Sequence, residues 1–261
     1  MTELGFIGAG NMGSAIMKGI AKSSLDAVVY AYDKDPAKLA AVPAKPCKSE
    51  AELVSKCKYV LLAVKPQVLG EVLDSVKPAV TGDTVFISIC AGISEKFIRS
   101  RTVPDAKVVL VMPNTPMMLG MGASAMSTDD RTSPEEFAFA KSVIESCGIA
   151  EIVPIDKMKE IICINGSSPA FIYLFAKGFV DYAKANGIDE GAALRLFAAT
   201  LKGSAEMLTS SGMTVDQLIK QVSSPGGTTI AGLDKLYEGS LTDDVNAACE
   251  ACTRRAYELS Q

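Results

Sequence analysis

The sequence predicts an α/β fold: an N-terminal Rossmann-type doubly wound sheet followed by an all-α domain. Three observations predict it. Short apolar runs rich in β-branched residues alternate with helical segments in the first half of the chain, a glycine-rich turn follows the first run, and no strand pattern continues beyond residue 155. Repeated strand–helix units form parallel sheets with helices on both faces. We therefore expect one domain over residues 1–155 and a helical domain over residues 156–261.

The composition is that of a folded, soluble chain. Of 261 residues, 48% are hydrophobic, and the formal net charge is −4. A nucleic-acid surface needs a basic face, and a membrane span needs about 20 consecutive apolar residues; the sequence offers neither. The N-terminus also lacks a signal-peptide pattern. We expect a cytoplasmic protein that binds neither nucleic acid nor membranes.

Cysteine and histidine usage limits the chemistry. Seven cysteines without a secretion signal are typical of reduced thiols. Cys249 and Cys252 form a C-x-x-C pair, but no further ligands share that spacing and the chain has no histidine, so we predict no metal site. Any acid–base step must use a hydroxyl, a carboxylate, a lysine, a tyrosine or water.

Six strands are predicted in the first half, each nearly continuously apolar, as in sheets buried on both faces. They are Leu4–Ile7, Val28–Tyr32, Tyr59–Val64, Thr84–Cys90, Lys107–Met112 and Ala123–Ser127. Two intervening helices begin at predicted capping boxes, Ser49 with Glu52 and Ser133 with Glu136. Pro134 suits the first helical position because its missing N–H would have no partner there.

Six helices are predicted in the second half, where Gly187, Gly212 and Gly239 mark three of their ends. They are Met158–Asn165, Ala170–Asn186, Glu190–Ser210, Thr214–Val222, Thr228–Glu238 and Asp243–Leu259. Segments such as Phe171–Ala176 are apolar on most sides and need burial on most sides. A compact bundle core would bury them. We favour an obligate dimer interface, which makes this an all-α dimerisation domain.

The glycine-rich turn, here called the dinucleotide turn (Gly8–Gly13), has the spacing G-x-G-x-x-G between a predicted strand and a predicted helix. In that context the pattern binds the pyrophosphate of a dinucleotide. Gly8 permits the tight turn, Gly10 lets the pyrophosphate approach, and Gly13 lets helix and strand pack closely. The alternative is a tight turn without a ligand. The predicted cofactor contacts here are Ile7, Gly8, Ala9, Gly10, Asn11, Met12 and Gly13.

Asp33 ends the second predicted strand, 25 residues after Gly8. An acidic residue near this position meets the adenosine ribose and favours NAD(H). The neighbouring Lys34 is an alternative partner for a 2′-phosphate. Both are predicted cofactor contacts, and the choice between NADPH and NADH stays open.

Three further loops follow strands that should end at the same edge of the sheet, where ligands of open α/β sheets bind. Lys65 is alternatively a solvated loop lysine, and Asn114 alternatively an Asx-turn residue that only shapes its loop. The predicted cofactor contacts in these loops are Ala63, Val64, Lys65, Pro66, Ala91, Gly92, Pro113 and Asn114.

A second glycine-rich segment, here called the carboxylate turn (Ser224–Thr229), opens a predicted helix with the sequence Ser-Pro-Gly-Gly-Thr-Thr. Glycines and hydroxyls at a helix start offer N–H and O–H donors that suit a small carboxylate. An ordinary glycine-rich helix start is the alternative. Gly166–Pro169 is weaker evidence, and we interpret it as a hinge between two helices.

Along essentially its whole length the chain resembles pyrroline-5-carboxylate reductase. The matching motifs are Gly8–Gly13 as G-x-G-N-M-G, Ala63-Val64-Lys65-Pro66-Gln67, Met112-Pro113-Asn114-Thr115-Pro116, Gly166-Ser167-Ser168-Pro169-Ala170, and Ser224–Thr229 continued by Ile230-Ala231-Gly232. The resemblance implies reduction of 1-pyrroline-5-carboxylate to L-proline by hydride transfer from NADPH or NADH, the last step of proline biosynthesis. It also implies a homodimer, possibly a decamer of five dimers. Asp33 stands where this family often has serine or asparagine.

The resemblance assigns the carboxylate turn to the substrate, with Thr229 contacting the ring nitrogen as the catalytic residue. The implied substrate contacts are Ser224, Gly226, Gly227, Thr228 and Thr229. Because an imine nitrogen is basic enough to bind a proton before hydride attack, a chain without histidine suffices. Thr229 then orients the protonated ring rather than transferring a proton.

Two other functions remain as alternatives. A β-hydroxyacid dehydrogenase shares the architecture but needs a catalytic lysine shortly after a glycine-rich turn. The first lysine after Gly166 is Lys177, well inside a predicted helix. A nucleotide-sensing protein without turnover would keep the dinucleotide turn but has no use for the carboxylate turn.

Overall fold

The structure, a computed structural model, describes residues 1–259. The chain divides into two compact units. The first unit is Met1–Ser167 together with the C-terminal stretch that begins at Cys252, and the second is Ser168–Ala251. The predicted domain boundary between residues 155 and 156 concerns independent folding and stays a prediction.

The first unit contains one eight-stranded sheet with the order β3-β2-β1-β4-β5-β6-β7-β8. All six predicted strands are present. The strands are β1 Thr2–Ile7, β2 Ala27–Tyr32, β3 Lys45–Pro46, β4 Tyr59–Leu62, β5 Val85–Ser88, β6 Lys107–Met112, β7 Gly122–Thr128 and β8 Gly148–Ile152. The first six run parallel to one another, as predicted for a doubly wound sheet.

The sheet is nevertheless mixed rather than purely parallel. β7 pairs antiparallel with β6, with Met112 opposite Ala125, and β8 runs parallel to β7. The connection between β6 and β7 contains only a 3₁₀ turn, Thr115–Leu119. A parallel crossover needs a dozen or more residues, usually with a helix, so this short loop can only reverse the chain.

Six helices flank the sheet: α1 Asn11–Ile20, α2 Pro36–Ala40, α3 Glu50–Lys56, α4 Pro66–Val76, α5 Glu95–Arg101 and α6 Pro134–Glu145. The capping box at Ser133 is confirmed, with Pro134 as the first helical residue. At Ser49 only half of the box forms. The Ser49 hydroxyl accepts from the Glu52 N–H at 3.1 Å, but the Glu52 carboxylate accepts instead from the Lys48 N–H at 2.6 Å.

Two apolar clusters cover the two faces of this sheet, which explains the continuous apolar runs. Successive residues of a strand point to opposite faces. Accordingly Phe6 and Leu61 lie in one cluster, whereas Ile7 and Leu62 lie in the other, all of them fully buried.

The second unit is helical: α7 Ser168–Ala185, α8 Glu190–Ser210, α9 Val215–Gln221, α10 Thr228–Glu238 and the first part of α11 Leu241–Leu259. Of the described residues of α7 to α10, only Pro169 and Ala183 are buried. Large apolar side chains stay exposed, for example Leu174 at 70% and Leu196 at 71%. These helices do not bury their apolar faces within one chain, so the compact-core account does not fit.

The predicted helix Met158–Asn165 is helical only in its second part, from Ile161, and the predicted hinge after it is wrong. The chain forms a 3₁₀ turn at Ile155–Lys157 and then a π-helix, Ile162–Ser167, that runs directly into α7. Pro169 has no N–H to donate to the Asn165 carbonyl, and its ring would clash with that carbonyl in a regular α-helix. A wider π-turn just before the proline accommodates both constraints.

Residues 1–259 contain neither a membrane-spanning helix nor a metal-binding cluster of side chains. No helix in this range is long and apolar enough to cross a membrane. No group of three or more His, Cys, Asp and Glu side chains within it is placed to hold a metal ion. None of the seven cysteines forms a disulfide, and five of them are buried.

Candidate functional site

The loops predicted to bind a cofactor converge at one edge of the sheet. Backbone bonds beyond the strand ends join them: the Gly8 N–H donates to the Tyr32 carbonyl at 2.8 Å, and the Ala63 N–H donates to the Ile7 carbonyl at 2.9 Å. β5 and β6 are parallel to β4, so Ala91, Gly92 and the loop after Met112 begin at this edge too. The edge therefore carries every predicted cofactor contact.

The dinucleotide turn uses its three glycines differently. Gly8 has φ +105°, and a Cβ there would lie 2.5 Å from the Ala63 carbonyl oxygen. A Cβ at Gly13 would lie 2.4 Å from the Gly8 carbonyl oxygen, but a Cβ at Gly10 would meet no atom within 4 Å. The fold thus explains Gly8 and Gly13 and leaves space at Gly10, where α1 begins and its first N–H groups suit a pyrophosphate.

Asp33 is bound to the dinucleotide turn. Its carboxylate accepts from the Ala9 N–H at 2.8 Å and from the Asp35 N–H at 2.9 Å, and the Lys38 ammonium lies 3.6 Å away. Burial opposes ionisation, but these donors outweigh it and hold the pKa of Asp33 below its ordinary value. The side chain is only 12% exposed, whereas Lys34 is exposed. A fixed negative charge therefore stands beside the turn.

The loop after β5 is tied to the loop after β4 by a thiol. Cys90 donates to the carbonyls of Leu62 and Val64 at 3.4 and 3.3 Å. Burial raises the pKa of Cys90 to about 11, so this cysteine is a neutral structural donor at pH 7. Lys65 is exposed and precedes α4, which begins at Pro66.

Asn114 contributes to the shape of its loop through a long-range bond and not through the Asx turn of the alternative interpretation. Its side-chain carbonyl oxygen accepts from the Ala123 N–H at 2.9 Å, at the start of β7. That bond uses its acceptor and leaves the amide N–H group for a ligand.

Asn165, a residue that the sequence reasoning missed, braces the same loop. Its side-chain amide donates to the carbonyls of Met112 and Ala123 at 2.7 and 2.9 Å, closing both ends of the loop that carries Pro113 and Asn114. Asn165 lies in the π-helix, a distortion often found at functional sites. The one signal in the sequence was a polar asparagine in an apolar helical stretch.

A cavity of about 470 Å³ opens beside the ends of β5 and β6, with Cys90, Gly92 and Met112 in its wall. It lies within the first unit. Its volume is in the range of small-molecule sites. Of the predicted cofactor contacts, the described lining of the cavity includes Gly92 but no residue of the dinucleotide turn.

The carboxylate turn lies in the second unit and has the backbone of a type II turn. The Gly227 N–H donates to the Ser224 carbonyl at 2.9 Å across Pro225 and Gly226, and Gly226 has φ +70°. α10 begins at Thr228. Its N-cap is Gly227, which has no side chain that could cap the first N–H groups of the helix. The first N–H groups and the exposed threonine hydroxyls of α10 are thus available to an anion.

Comparisons with known proteins agree along the whole chain. The sequence family described as pyrroline-5-carboxylate reductase dimerisation matches residues 156–259, and that described as NADP oxidoreductase, coenzyme F420-dependent, matches residues 3–92. The pyrroline-5-carboxylate reductase 3 of Bos taurus is 34% identical over 264 residues, covering 99% of this chain and 86% of the relative.

Solved structures give the same result. The pyrroline carboxylate reductase of Plasmodium falciparum with NADP bound is 31% identical, with a TM-score of 0.88 and 100% of both chains covered. The pyrroline-5-carboxylate reductase of Coxiella burnetii is 27% identical, with a TM-score of 0.93, covering 100% of this chain and 99% of that one. The chain belongs to the pyrroline-5-carboxylate reductase family.

Proposed function

We propose that this chain reduces 1-pyrroline-5-carboxylate to L-proline with a hydride from NADPH or NADH. Membership of the family over the full length supports the reaction. The observation that carries the assignment of the substrate is the carboxylate turn, an open set of donors at the start of α10. The reaction balances simply: the imine carbon gains the hydride, the nitrogen gains a proton, and the nicotinamide is oxidised.

The first unit holds the dinucleotide in this proposal. The open space at Gly10 and the N–H groups that begin α1 fit its pyrophosphate. Asp33 meets the adenosine ribose, and the loops at Ala63–Pro66, Ala91–Gly92 and Pro113–Asn114 line the remainder. When bound, the reduced nicotinamide supplies the hydride.

The second unit binds the substrate by its acid group. The N–H groups of Gly226 and Thr228 and the Ser224 hydroxyl are the proposed donors to that carboxylate. Gly227 is expected to act by shaping the turn, because its own N–H donates to the Ser224 carbonyl. The Thr229 hydroxyl orients the ring nitrogen, which takes its proton from water before the hydride arrives. Because no histidine is present, the chain contributes position and charge stabilisation rather than a strong acid.

The two alternative functions find less support. The lysine that a β-hydroxyacid dehydrogenase would need, Lys177, is exposed on α7 and pairs with Asp181 one turn further on. A binding protein without turnover does not account for the open carboxylate turn.

Two cofactor assays separate the three functions. Purified protein is mixed with 1-pyrroline-5-carboxylate and NADH or NADPH, and oxidation of the cofactor is followed by its absorbance. We expect oxidation that depends on the cyclic imine. A chain that binds the dinucleotide yet oxidises none would be a binding protein, and one that instead oxidises a β-hydroxyacid with NAD(P)⁺ would be a dehydrogenase.

The assembly, domain roles and location belong to the same proposal. Residues 156–261 form the dimerisation and substrate-binding domain, two copies associate through the exposed apolar faces of α7 and α8, and five dimers build a decamer. The match of residues 156–259 to a dimerisation family supports the dimer. The seven cysteines, none of which forms a disulfide, support a cytoplasmic location.

A further inference from the structure

We infer that this chain uses NADH in preference to NADPH, and that Asp33 sets the choice. The inference deepens the proposed function, because it names the cofactor of the same site. It depends on the bonds of Asp33 in the structure, on its low exposure, and on the charged residues around it.

The first step is the position of the carboxylate. Asp33 follows β2 directly and accepts from the Ala9 N–H at 2.8 Å, so it is joined to the turn that receives the pyrophosphate. The adenosine ribose lies next to the pyrophosphate in the dinucleotide itself. In NADH the 2′ position is a hydroxyl, which can donate to a carboxylate. In NADPH it is a phosphate of about two negative charges, which a carboxylate repels.

Further contacts hold the Asp33 carboxylate in this orientation. Its oxygens also accept from the Asp35 N–H at 2.9 Å, and Lys38 stands 3.6 Å away. Rotation of the Asp33 side chain would break these contacts and leave the Ala9 N–H without its acceptor. The same donors hold the pKa of Asp33 below its ordinary value, so the carboxylate stays charged at pH 7.

The third step is the composition of the surroundings. Arginine is the residue that recognises a 2′-phosphate with a planar pair of donors, but the chain has no arginine before Arg99. Lys38 is already partnered by Asp33. Lys34, which adjoins Asp33 in sequence, is exposed and is the competing candidate for binding a 2′-phosphate.

The test is a calorimetric titration of the full-length protein with NAD⁺ and with NADP⁺, which needs no turnover. We expect NAD⁺ to bind at least about tenfold more tightly, the scale of one hydrogen bond and one repulsion. Asp33→Ser should shift the ratio of the two dissociation constants towards NADP⁺ by about tenfold to a hundredfold. Asp33→Asn, which keeps an acceptor for the Ala9 N–H, should shift it in the same direction without loosening the turn.

One control variant and one variant of a competing residue make the result specific to Asp33. Asp26→Ser removes the same charge from the exposed residue before β2 and should leave the ratio unchanged. Lys34→Ala tests the competing candidate for binding the 2′-phosphate. Equal or tighter binding of NADP⁺ by the native protein overturns the inference. If Lys34→Ala then loses the binding of NADP⁺, Lys34 is the residue that binds the 2′-phosphate. An unchanged ratio in both Asp33 variants removes Asp33 as the determinant.

Failure of the proposed function gives a different pattern. If the protein does not reduce 1-pyrroline-5-carboxylate, the binding ratio still decides the cofactor preference. If it does reduce the imine, kcat/KM with NADH should exceed kcat/KM with NADPH by a similar factor, and Asp33→Ser should narrow that gap.

Discussion

Thr229 is a residue whose role can be separated from the fold. Its hydroxyl lies in the first turn of α10, whose N-cap is Gly227, so removing it should leave the helix intact. We expect Thr229→Ala to lower kcat/KM with the imine about tenfold to a hundredfold, equivalent to about 1–3 kcal/mol, and Thr229→Ser to restore most of it. Steady-state kinetics with circular dichroism checks both. Full kcat/KM in the alanine variant would remove Thr229 from the mechanism.

Gly10 and Gly13 should respond in opposite ways to the same substitution. Gly10→Ala adds a Cβ where the protein leaves space, so we expect normal stability but at least about tenfold weaker binding of NAD⁺. Gly13→Ala places a Cβ 2.4 Å from the Gly8 carbonyl oxygen, so we expect a loss of about 1–3 kcal/mol in unfolding free energy. Urea unfolding and calorimetric titration separate the two. The reverse pattern would contradict the assigned roles of these glycines.

Asn165 should matter through the loop it braces. Without its amide, the carbonyls of Met112 and Ala123 lose their donor, so Asn165→Ala should raise KM for the cofactor and cost about 1–3 kcal/mol of stability. Asn165→Asp has the same shape but no donor, and it should not restore either property. Asn186→Ala, which removes an exposed side-chain bond to Tyr182, is the control and should change neither. Normal kinetics in both Asn165 variants would show that the loop holds its shape unaided.

Among the elements, α6 is joined to the sheet by one buried carboxylate. Glu136, 5% exposed, contacts the ammonium groups of Lys107 at 2.8 Å and Lys58 at 3.0 Å. Burial opposes its ionisation, but hydrogen bonds from Lys107, Lys58 and the Ser133 N–H lower the pKa of Glu136 from 4.5 to about 2. A lowered pKa stabilises the fold above pH 4.5, and this contribution disappears as the pH falls towards 2.

Glu136→Gln should therefore cost stability in a way that depends on pH. At pH 7 we expect a loss of about 3 kcal/mol in unfolding free energy, the size of that pKa difference. The difference in unfolding free energy between the variant and the native protein should become smaller as the pH falls from 4.5 to 2. Glu145→Gln, near the end of the same helix and more exposed, is the control and should change little. Urea unfolding across this range measures it, and a gap that does not change with pH would contradict the role of the charge.

The elements also show where sequence reasoning worked and where it stopped. β1, β4, β5 and β6 were predictable because burial on both faces forces continuous apolar runs, and β2 because its half-buried residues are apolar throughout. β8 was not, since Ile149, Glu151 and Ile152 are all exposed on an edge strand and give no such run. The direction of β7 depends on the length of the loop before it. The π-helix depends on Pro169, whose effect on the preceding turn was interpreted as a hinge.

The site divides in the same way. The glycine spacing and strand ends predicted where the cofactor loops meet, because the edge of a parallel sheet fixes that from topology alone. The hydrogen bond from Ala9 to Asp33 joins residues that are 24 positions apart in the sequence. The two hydrogen bonds of the Asn165 side chain span 53 and 42 positions. Such contacts depend on three-dimensional packing, so a single sequence did not contain them.

For the whole molecule, the second unit requires a partner. Its helices stack Phe179 on Phe197 with ring centres 4.2 Å apart, yet leave Leu174 and Leu196 largely exposed. Exposed apolar area of this extent marks an interaction surface. We expect light scattering at micromolar concentration to give at least twice the mass of one chain, and a monomer would defeat the argument.

A charge placed on that surface should break the assembly. Leu174→Asp buries an unpaired carboxylate if α7 lies in the interface, so we expect the apparent mass to fall towards one chain or the protein to precipitate. Ile149→Asp is the matched control, because it alters a similarly exposed apolar side chain on the edge strand β8 of the first unit. It should leave the dimer intact. If the two variants keep the same mass as the native protein, α7 does not form the interface, and the apolar faces of α8 become the surface to test.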